Sequence, residues 1–318
     1  MNRLFRWDQM GLFLLALAAG ILPFAVPEVC AAALREGLTL CSGPLLLSLF
    51  PFLVATSLVT AMDAVPLLMR PFRLILRPVF GLGDAGCYTF LTGLLCGYPV
   101  GARNAANFVS DGRLTKSEGA YLLSISAYPS LMFVLGYVLP NMSPGTSFPA
   151  VFLSLCLPAL PISVISRRFY RVKPMKERRS QTGQASAKTA ADVDALLMSS
   201  LELMEKICAY LMLFSIAAAF WNRFVPDAFP LKTPFLSLLE MTVGIRELSA
   251  MSGVSPLLKD ACIVGAAAFG GLSGAAQTRT VIKNAGLSIR HYVAWKWVHL
   301  ALSSLIFILL SSARLPAQ

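Results

Sequence analysis

Gly97-Tyr98-Pro99-Val100-Gly101 lies at the centre of an apolar run from Cys87 to Val109. Basic residues flank the run on both sides, Arg77 before it and Arg113 and Lys116 after it. Basic flanks stay on the cytoplasmic side of a membrane, so a run with such flanks at both ends enters and leaves by one face. Two glycines and a proline permit the reversal of the backbone that this requires. The stretch predicts a re-entrant hairpin with Gly97, Pro99 and Gly101 at its tip.

The composition of the whole chain agrees with a membrane location. The chain has 318 residues, of which 56% are hydrophobic and 14% charged, against about 25% charged residues in an ordinary soluble domain. Long apolar runs predict an all-α integral membrane protein with spans at 10–27, 40–62, 120–139, 148–165, 196–220 and 292–310. The first run fits either a retained span or a signal peptide, since Arg3 and Arg6 precede it.

The net charge of +11 is concentrated in a basic cluster at 167–179, directly after an apolar run. This placement predicts a cytoplasmic anchor beside the lipid bilayer, and no nucleic-acid partner. The same rule predicts a multi-pass protein of the cell membrane with both termini in the cytoplasm. The turns at 140–147 and 226–232 are then expected outside.

Nothing in the sequence indicates an enzyme, a cofactor or a metal site. The seven cysteines are scattered and contain no Cys-x-x-Cys pair, so neither a disulfide framework nor a zinc site is expected. No nucleophile, metal-ligand or phosphate-loop motif occurs in a credible context.

The second half of the chain repeats the pattern of the first. Aligning Gly101 with Gly274 also places Gly97 on Gly270 and Asn104 on Gln277. The run from Cys262 to Ile282 therefore predicts a second hairpin, with Gly270, Gly271 and Gly274 at its tip. The two copies would enter from opposite faces, as in the inverted repeats of many secondary transporters.

This repeat divides the chain into four parts. Residues 1–39 form an N-terminal transmembrane helix and outer loop, and 173–195 form a polar cytoplasmic linker. Residues 40–172 are the first repeat, with a span, an in-plane interfacial helix, a hairpin and two spans. Residues 196–318 are the second repeat, with a span, an interfacial helix, a hairpin and a span.

Four stretches, two in each half of the chain, carry a family resemblance. They are Gly93 to Arg103 with Asp111-Gly112-Arg113-Leu114-Thr115-Lys116-Ser117-Glu118, and Phe269 to Gln277 with Leu239-Glu240-Met241-Thr242-Val243-Gly244. They resemble the nucleoside-recognition or Gate domain family, and most closely its sporulation integral membrane protein YlbJ branch. The resemblance implies a fold like that of concentrative nucleoside transporters, in which two hairpin tips meet and bind a solute. It also implies a membrane role in endospore formation.

The candidate binding residues lie just beyond the predicted tips. Arg103 and Arg279 would favour a small anionic solute, because an unpaired cation inside a membrane is costly; a nucleoside-like solute is what the resemblance implies. Alternatively, each arginine pairs with a carboxylate or extends to a lipid head group. Asn104, Gln277 and Thr278 would hydrogen-bond the solute or join neighbouring helices. Glu240 is expected at the outer surface; if buried, it would indicate coupling or pairing. The sequence thus predicts a transporter or channel, with a non-transporting scaffold of the sporulation machinery as the alternative.

Overall fold

The computed structural model describes residues 20, 21, 23–173 and 190–313, and this part of the chain contains helices and no strand. A π-helical turn at Cys41–Leu45 joins the first two helices, and α7 is a mixed helical segment. The helices in chain order are α1 Pro27–Leu40, α2 Leu46–Ala61, α3 Val65–Phe80, α4 Asp84–Cys96, α5 Val100–Ser110, α6 Lys116–Ile125, α7 Leu131–Asn141, α8 Phe148–Cys156, α9 Ala159–Phe169, α10 Ala190–Phe224, α11 Lys232–Leu239, α12 Met241–Ala250, α13 Pro256–Phe269, α14 Gly271–Ile282 and α15 Ile289–Ser312.

Four helical segments of the described chain are long and apolar enough to cross a membrane. They are Phe148–Phe169, Val193–Phe224, Pro256–Ala285 and Ile289–Ser312. The prediction of an all-α integral membrane protein is confirmed. Most of the predicted first span at 10–27 lies outside the described residues.

Helix α3 turns away from α2 by 103° at residues 62–64. Asp63 takes up this turn with a φ of 53° and forms an ion pair of 2.7 Å with Arg113. Val65 and Met69 are buried, whereas Leu67 and Leu74 are exposed. A helix with this bend and these exposed apolar side chains fits an interfacial position beside the membrane.

Helices α4 and α5 fold back on one another at Gly97–Pro99. A Cβ on Gly101 would lie 2.8 Å from the Cα of Gly93, and it would also meet the carbonyl oxygen of Ser126. Two residues that are eight positions apart approach this closely only if the chain reverses between them, because an uninterrupted helix would separate them by about 12 Å. The structure therefore has a helical hairpin here.

In the second half, the hairpin lies at a different place from the predicted one. Helix α11 packs along α12, and a Cβ on Gly244 would collide with the backbone of Ser237. The reversal falls at Glu240, in the stretch predicted as an interfacial helix. Helices α13 and α14 instead form one candidate span, Pro256–Ala285. Gly270 and Gly271 adopt φ values of 82° and 71°, and this short break changes the course of the helix without folding it back.

The predicted span at 120–139 is also interrupted. Helix α6 ends at Ile125, residues 126–130 are extended or bent, and α7 begins at Leu131. Ser130 caps α7 by accepting a hydrogen bond of 3.1 Å from the backbone N–H of Phe133. Each half of the chain thus contains a hairpin followed by a broken helix.

Helix α15 runs away from the basic cluster. Trp295, near its start, donates a hydrogen bond of 3.0 Å to Tyr170 beside the basic cluster. Ser304 contacts Ala261 near the start of α13. A helix of 24 residues extends about 36 Å, so Ser312 lies at the end of the helix bundle opposite to the basic cluster. The cytoplasmic position of the C-terminus stays a prediction, and Pro256–Ala285 is long and apolar enough to cross a membrane instead of re-entering.

Candidate functional site

A small cavity of ≈ 50 Å³ lies where the two hairpin reversals meet the two helix breaks. The first hairpin contributes Tyr98 and the second contributes Glu240, Met241 and Thr242. The remaining lining residues come from the end of α4, the π-helical turn, α2, α10 and the two broken helices: Cys96, Leu45, Leu49, Ile207, Leu211, Pro129, Ser130, Phe133, Gly270, Ser273, Gly274 and Gln277. We call it the hairpin cavity.

Tyr98 connects the two hairpins. Its hydroxyl lies 2.8 Å from the sulfur of Met241 and donates to the carbonyl oxygen of Ala267 at 3.3 Å. Its ring lies directly on the backbone of the second broken helix, where a Cβ on Gly270 would be 2.8 Å and one on Gly274 3.4 Å from ring atoms. The approach of the two halves of the chain therefore depends on glycine at Gly270.

Glu240 is 1% exposed and stands at the reversal of the second hairpin. Its carboxylate caps α12 by accepting hydrogen bonds from the backbone N–H of Val243 at 2.8 Å and from the hydroxyl of Thr242. A helix N-terminus favours a negative charge, which offsets part of the cost of burying the carboxylate. The burial differs from the expected surface position and places a fixed acidic group at the hairpin cavity.

The unwound residues 126–130 expose carbonyl oxygens that a helix would satisfy. The N–H of Tyr98 donates to Tyr128 at 2.9 Å, and the ammonium group of Lys296 donates to Ala127 at 2.9 Å. Lys296 is 3% exposed and lies 5.1 Å from the centre of the Tyr98 ring. These contacts stabilise the break because a carbonyl oxygen left unpaired away from water costs about 1–3 kcal/mol.

Of the residues predicted to bind a solute, Gln277 lines the hairpin cavity, and Thr278 is buried beside it in α14. Asn104 donates to the hydroxyl of Thr92 at 2.9 Å and so joins α5 to α4. Arg103 points elsewhere, to the hydroxyl of Ser199 on α10 at 3.3 Å. Arg279 is exposed. Neither arginine lines the hairpin cavity.

The structure adds residues that the sequence analysis did not select: Tyr98, Met241, Ser130 and Lys296. The sequence does contain an indication of Lys296, because a lysine within the apolar run 292–310 is costly in a membrane unless another group pairs with it. Tyr98 lies within the stretch that predicted the first hairpin. The other two became recognisable only from their place at a hairpin reversal or a helix break.

A disulfide links Cys41 to Cys208, with their Cα atoms 5.6 Å apart. It joins the π-helical turn to α10, next to the cavity-lining Leu45 and Ile207. The expectation of no disulfide is therefore wrong for this pair. The two cysteines are 167 positions apart, so no local spacing of cysteines could indicate the bond. Among the described residues, no group of three His, Cys, Asp or Glu is arranged to hold a metal ion.

Comparison with known proteins gives one curated relative. The chain is distantly similar to a sporulation membrane protein. It is 24% identical over 174 residues to the sporulation integral membrane protein YlbJ of Bacillus subtilis (strain 168). The match covers 54% of this chain and 41% of the relative, so this chain spans less than half of that protein's length in the match. No protein-family model matches the chain, and no solved structure matches it significantly. The relative and the apolar helices together support an integral membrane protein.

Proposed function

We propose that the protein moves a small polar solute across the membrane through the hairpin cavity. The main support is the meeting of two hairpin reversals and two broken helices around a buried carboxylate, Glu240. Discontinuous helices at the middle of the membrane are where many secondary transporters bind their substrates. The hairpin bases also lie at opposite faces: Gly81 contacts Arg167 of the basic cluster, whereas Ser249 contacts Lys259 and Asn141 near the other face. This arrangement supports an inverted repeat of the Gate domain type.

The groups around the cavity indicate the class of solute. Glu240 supplies a carboxylate, Gln277 an amide, and Ser130 and Ser273 hydroxyl groups. A carboxylate favours a partner with a hydrogen-bond donor or a positive charge and disfavours an anion. We therefore propose a neutral or cationic polar solute, in place of the anionic one that Arg103 and Arg279 had suggested.

The observed cavity is too small for a molecule the size of a nucleoside. Its ≈ 50 Å³ compares with about 300–1,000 Å³ for pockets that hold small-molecule ligands. A solute can enter only if the contact of Tyr98 with Met241 and Gly270 opens. The structure thus fits a closed state of an alternating-access cycle, in which the hairpins separate in turn.

Reconstituted vesicles test the proposal. The purified chain would be screened against amines, amino acids, nucleosides and sugars, first by thermal stabilisation and then by uptake of the stabilising compound. Glu240→Gln should reduce both responses at least tenfold, whereas Glu205→Gln, at an exposed position on α10, should leave them unchanged. If no compound stabilises or enters, or if both variants behave alike, solute transport is rejected.

The second candidate is a non-transporting membrane scaffold in sporulation, the process that the relative's name gives. One observation favours it: Tyr98 already fills the space between the hairpins and is held by protein groups on both sides. A scaffold predicts that Glu240→Gln supports sporulation normally if the protein accumulates normally. A transporter predicts a sporulation defect at normal protein level.

A further inference from the structure

A second cavity shares no lining residue with the hairpin cavity. It has a volume of ≈ 390 Å³ and is formed where the end of α3 meets the end of α9. Three arginines and four smaller residues line it: Arg167, Arg168, Arg171, Val79, Ser163, Val164 and Val172. We call it the arginine cavity.

The three arginines have no carboxylate partner among the residues that the structure describes. Arg167 lies over Gly81, where a Cβ would be 2.6 Å from a guanidinium nitrogen. A Cβ at this position would displace the guanidinium group, and Gly81 adopts a φ of 62°, which favours glycine, as it ends α3. Three like charges around one cavity repel each other, so an anion that enters it would be bound favourably.

Arg171 reaches the cavity through a strained backbone. Its φ is 53°, a left-handed conformation that costs a residue with a side chain about 1–2 kcal/mol. The turn is held by backbone hydrogen bonds from Arg171 to Arg168 at 3.2 Å and from Val172 to Arg167 at 2.9 Å. Glycine is the usual residue at such a helix end, so an arginine here indicates a use for its side chain.

The other wall of the cavity is apolar and exposed. Val79 is 47% and Val164 58% exposed, and both belong to helices that contact or cross the membrane. Phe169, one turn beyond Ile165, continues this exposed apolar surface. The cavity therefore presents cations on one side and a lipid-facing hydrocarbon surface on the other, at the end of the span Phe148–Phe169.

We propose that the arginine cavity binds the phosphate group of an anionic phospholipid, with its acyl chains along Val79 and Val164. Arginine forms bidentate hydrogen bonds with phosphate oxygens, and basic pockets between membrane helices are suited to anionic head groups. Inorganic phosphate shares the charged group but lacks the acyl chains. The apolar wall is therefore the feature that distinguishes the lipid from a free anion.

The test measures thermal unfolding of the full chain in neutral detergent with added phosphatidylglycerol, phosphatidylcholine or inorganic phosphate. Phosphatidylglycerol should raise the unfolding temperature, and the other two should not. A triple variant, Arg167→Gln, Arg168→Gln and Arg171→Gln, should weaken the apparent affinity for phosphatidylglycerol by about tenfold or more. The matched control replaces three exposed arginines elsewhere, Arg35, Arg223 and Arg290, and should keep the full response.

A single change separates lipid binding from folding. Arg171→Gly removes one guanidinium group and relieves the left-handed backbone, so the lipid-free protein should unfold at an equal or higher temperature. Its response to phosphatidylglycerol should nevertheless be weaker. The proposal is overturned if the triple variant responds like the control, or if inorganic phosphate alone reproduces the stabilisation.

Discussion

The close backbone contact between α4 and α5 in the first hairpin can be tested by adding a single methyl group. In Gly101→Ala, the new Cβ would lie 2.8 Å from the Cα of Gly93 and would also meet the carbonyl oxygen of Ser126. Both obstacles are backbone atoms, so no side-chain rotation relieves them. Overpacking of this kind costs about 1–3 kcal/mol, and the higher helix propensity of alanine returns about 1 kcal/mol. We expect a net loss of up to about 2 kcal/mol in the free energy of unfolding.

The matched control is Gly136→Ala in α7, where a Cβ would meet no atom within 4 Å. This variant should gain up to about 1 kcal/mol from helix propensity alone. Both variants would be unfolded reversibly in mixed micelles of dodecyl sulfate and a neutral detergent, followed by circular dichroism. Larger side chains sharpen the contrast: Gly101→Leu should abolish folding or function, and Gly20→Leu, also in open space, should be tolerated. Equal stabilities for Gly101→Ala and Gly136→Ala would refute the folded-back arrangement of α4 and α5.

Three further predictions follow from contacts elsewhere in the structure. The carboxylate of Asp260 accepts hydrogen bonds from Ser143 and Thr146 in the loop after α7. Asp260→Asn weakens them, so we expect the free energy of unfolding to fall by about 2 kcal/mol and hydrogen exchange in that loop to become faster. Unchanged exchange would contradict this. Lys296→Met leaves the carbonyl oxygen of Ala127 without its hydrogen-bond donor. The free energy of unfolding in mixed micelles should fall by about 1–3 kcal/mol. A variant as stable as the parent would show that other contacts stabilise the helix break at 126–130. Single cysteines at Lys173 and Ser312, in a background without the native cysteines, should react with an impermeant reagent from opposite sides of the membrane, and labelling from the same side would show that Pro256–Ala285 does not cross.

The first hairpin illustrates how much a sequence can indicate when its signals agree. Basic flanks, an apolar run and a central Gly-Tyr-Pro-Val-Gly all indicate a reversal, and the structure has one at Gly97–Pro99. The second hairpin was assigned to the wrong stretch because Gly270, Gly271 and Gly274 look like a tip, while Glu240 looks like a surface residue. The three glycines instead make room for the Tyr98 ring and for a short helix break.

The candidate binding residues divide between the hairpin cavity and contacts that join helices. Gln277 lines the hairpin cavity, but Arg103 and Asn104 are used by helix contacts, with Ser199 and Thr92 respectively. Polar residues near a predicted tip therefore did not reveal which of them face the cavity. That choice depends on the rotation of each helix about its own axis, and this rotation is fixed by packing against neighbouring helices.

The sequence by itself determined the solvent in which this protein folds. Its long apolar runs require a lipid bilayer, and in hydrocarbon each backbone must satisfy its own hydrogen bonds, which leaves helices as the available structure. The tertiary structure decided which helices reverse, which only break, and which polar groups meet. Glu240 and Tyr98 are 142 positions apart in the chain, and Cys41 and Cys208 are 167 apart. Contacts between remote segments depend on close packing of the backbone at Gly93, Gly101, Gly244 and Gly270. A local pattern of residues does not indicate which remote segments come close together.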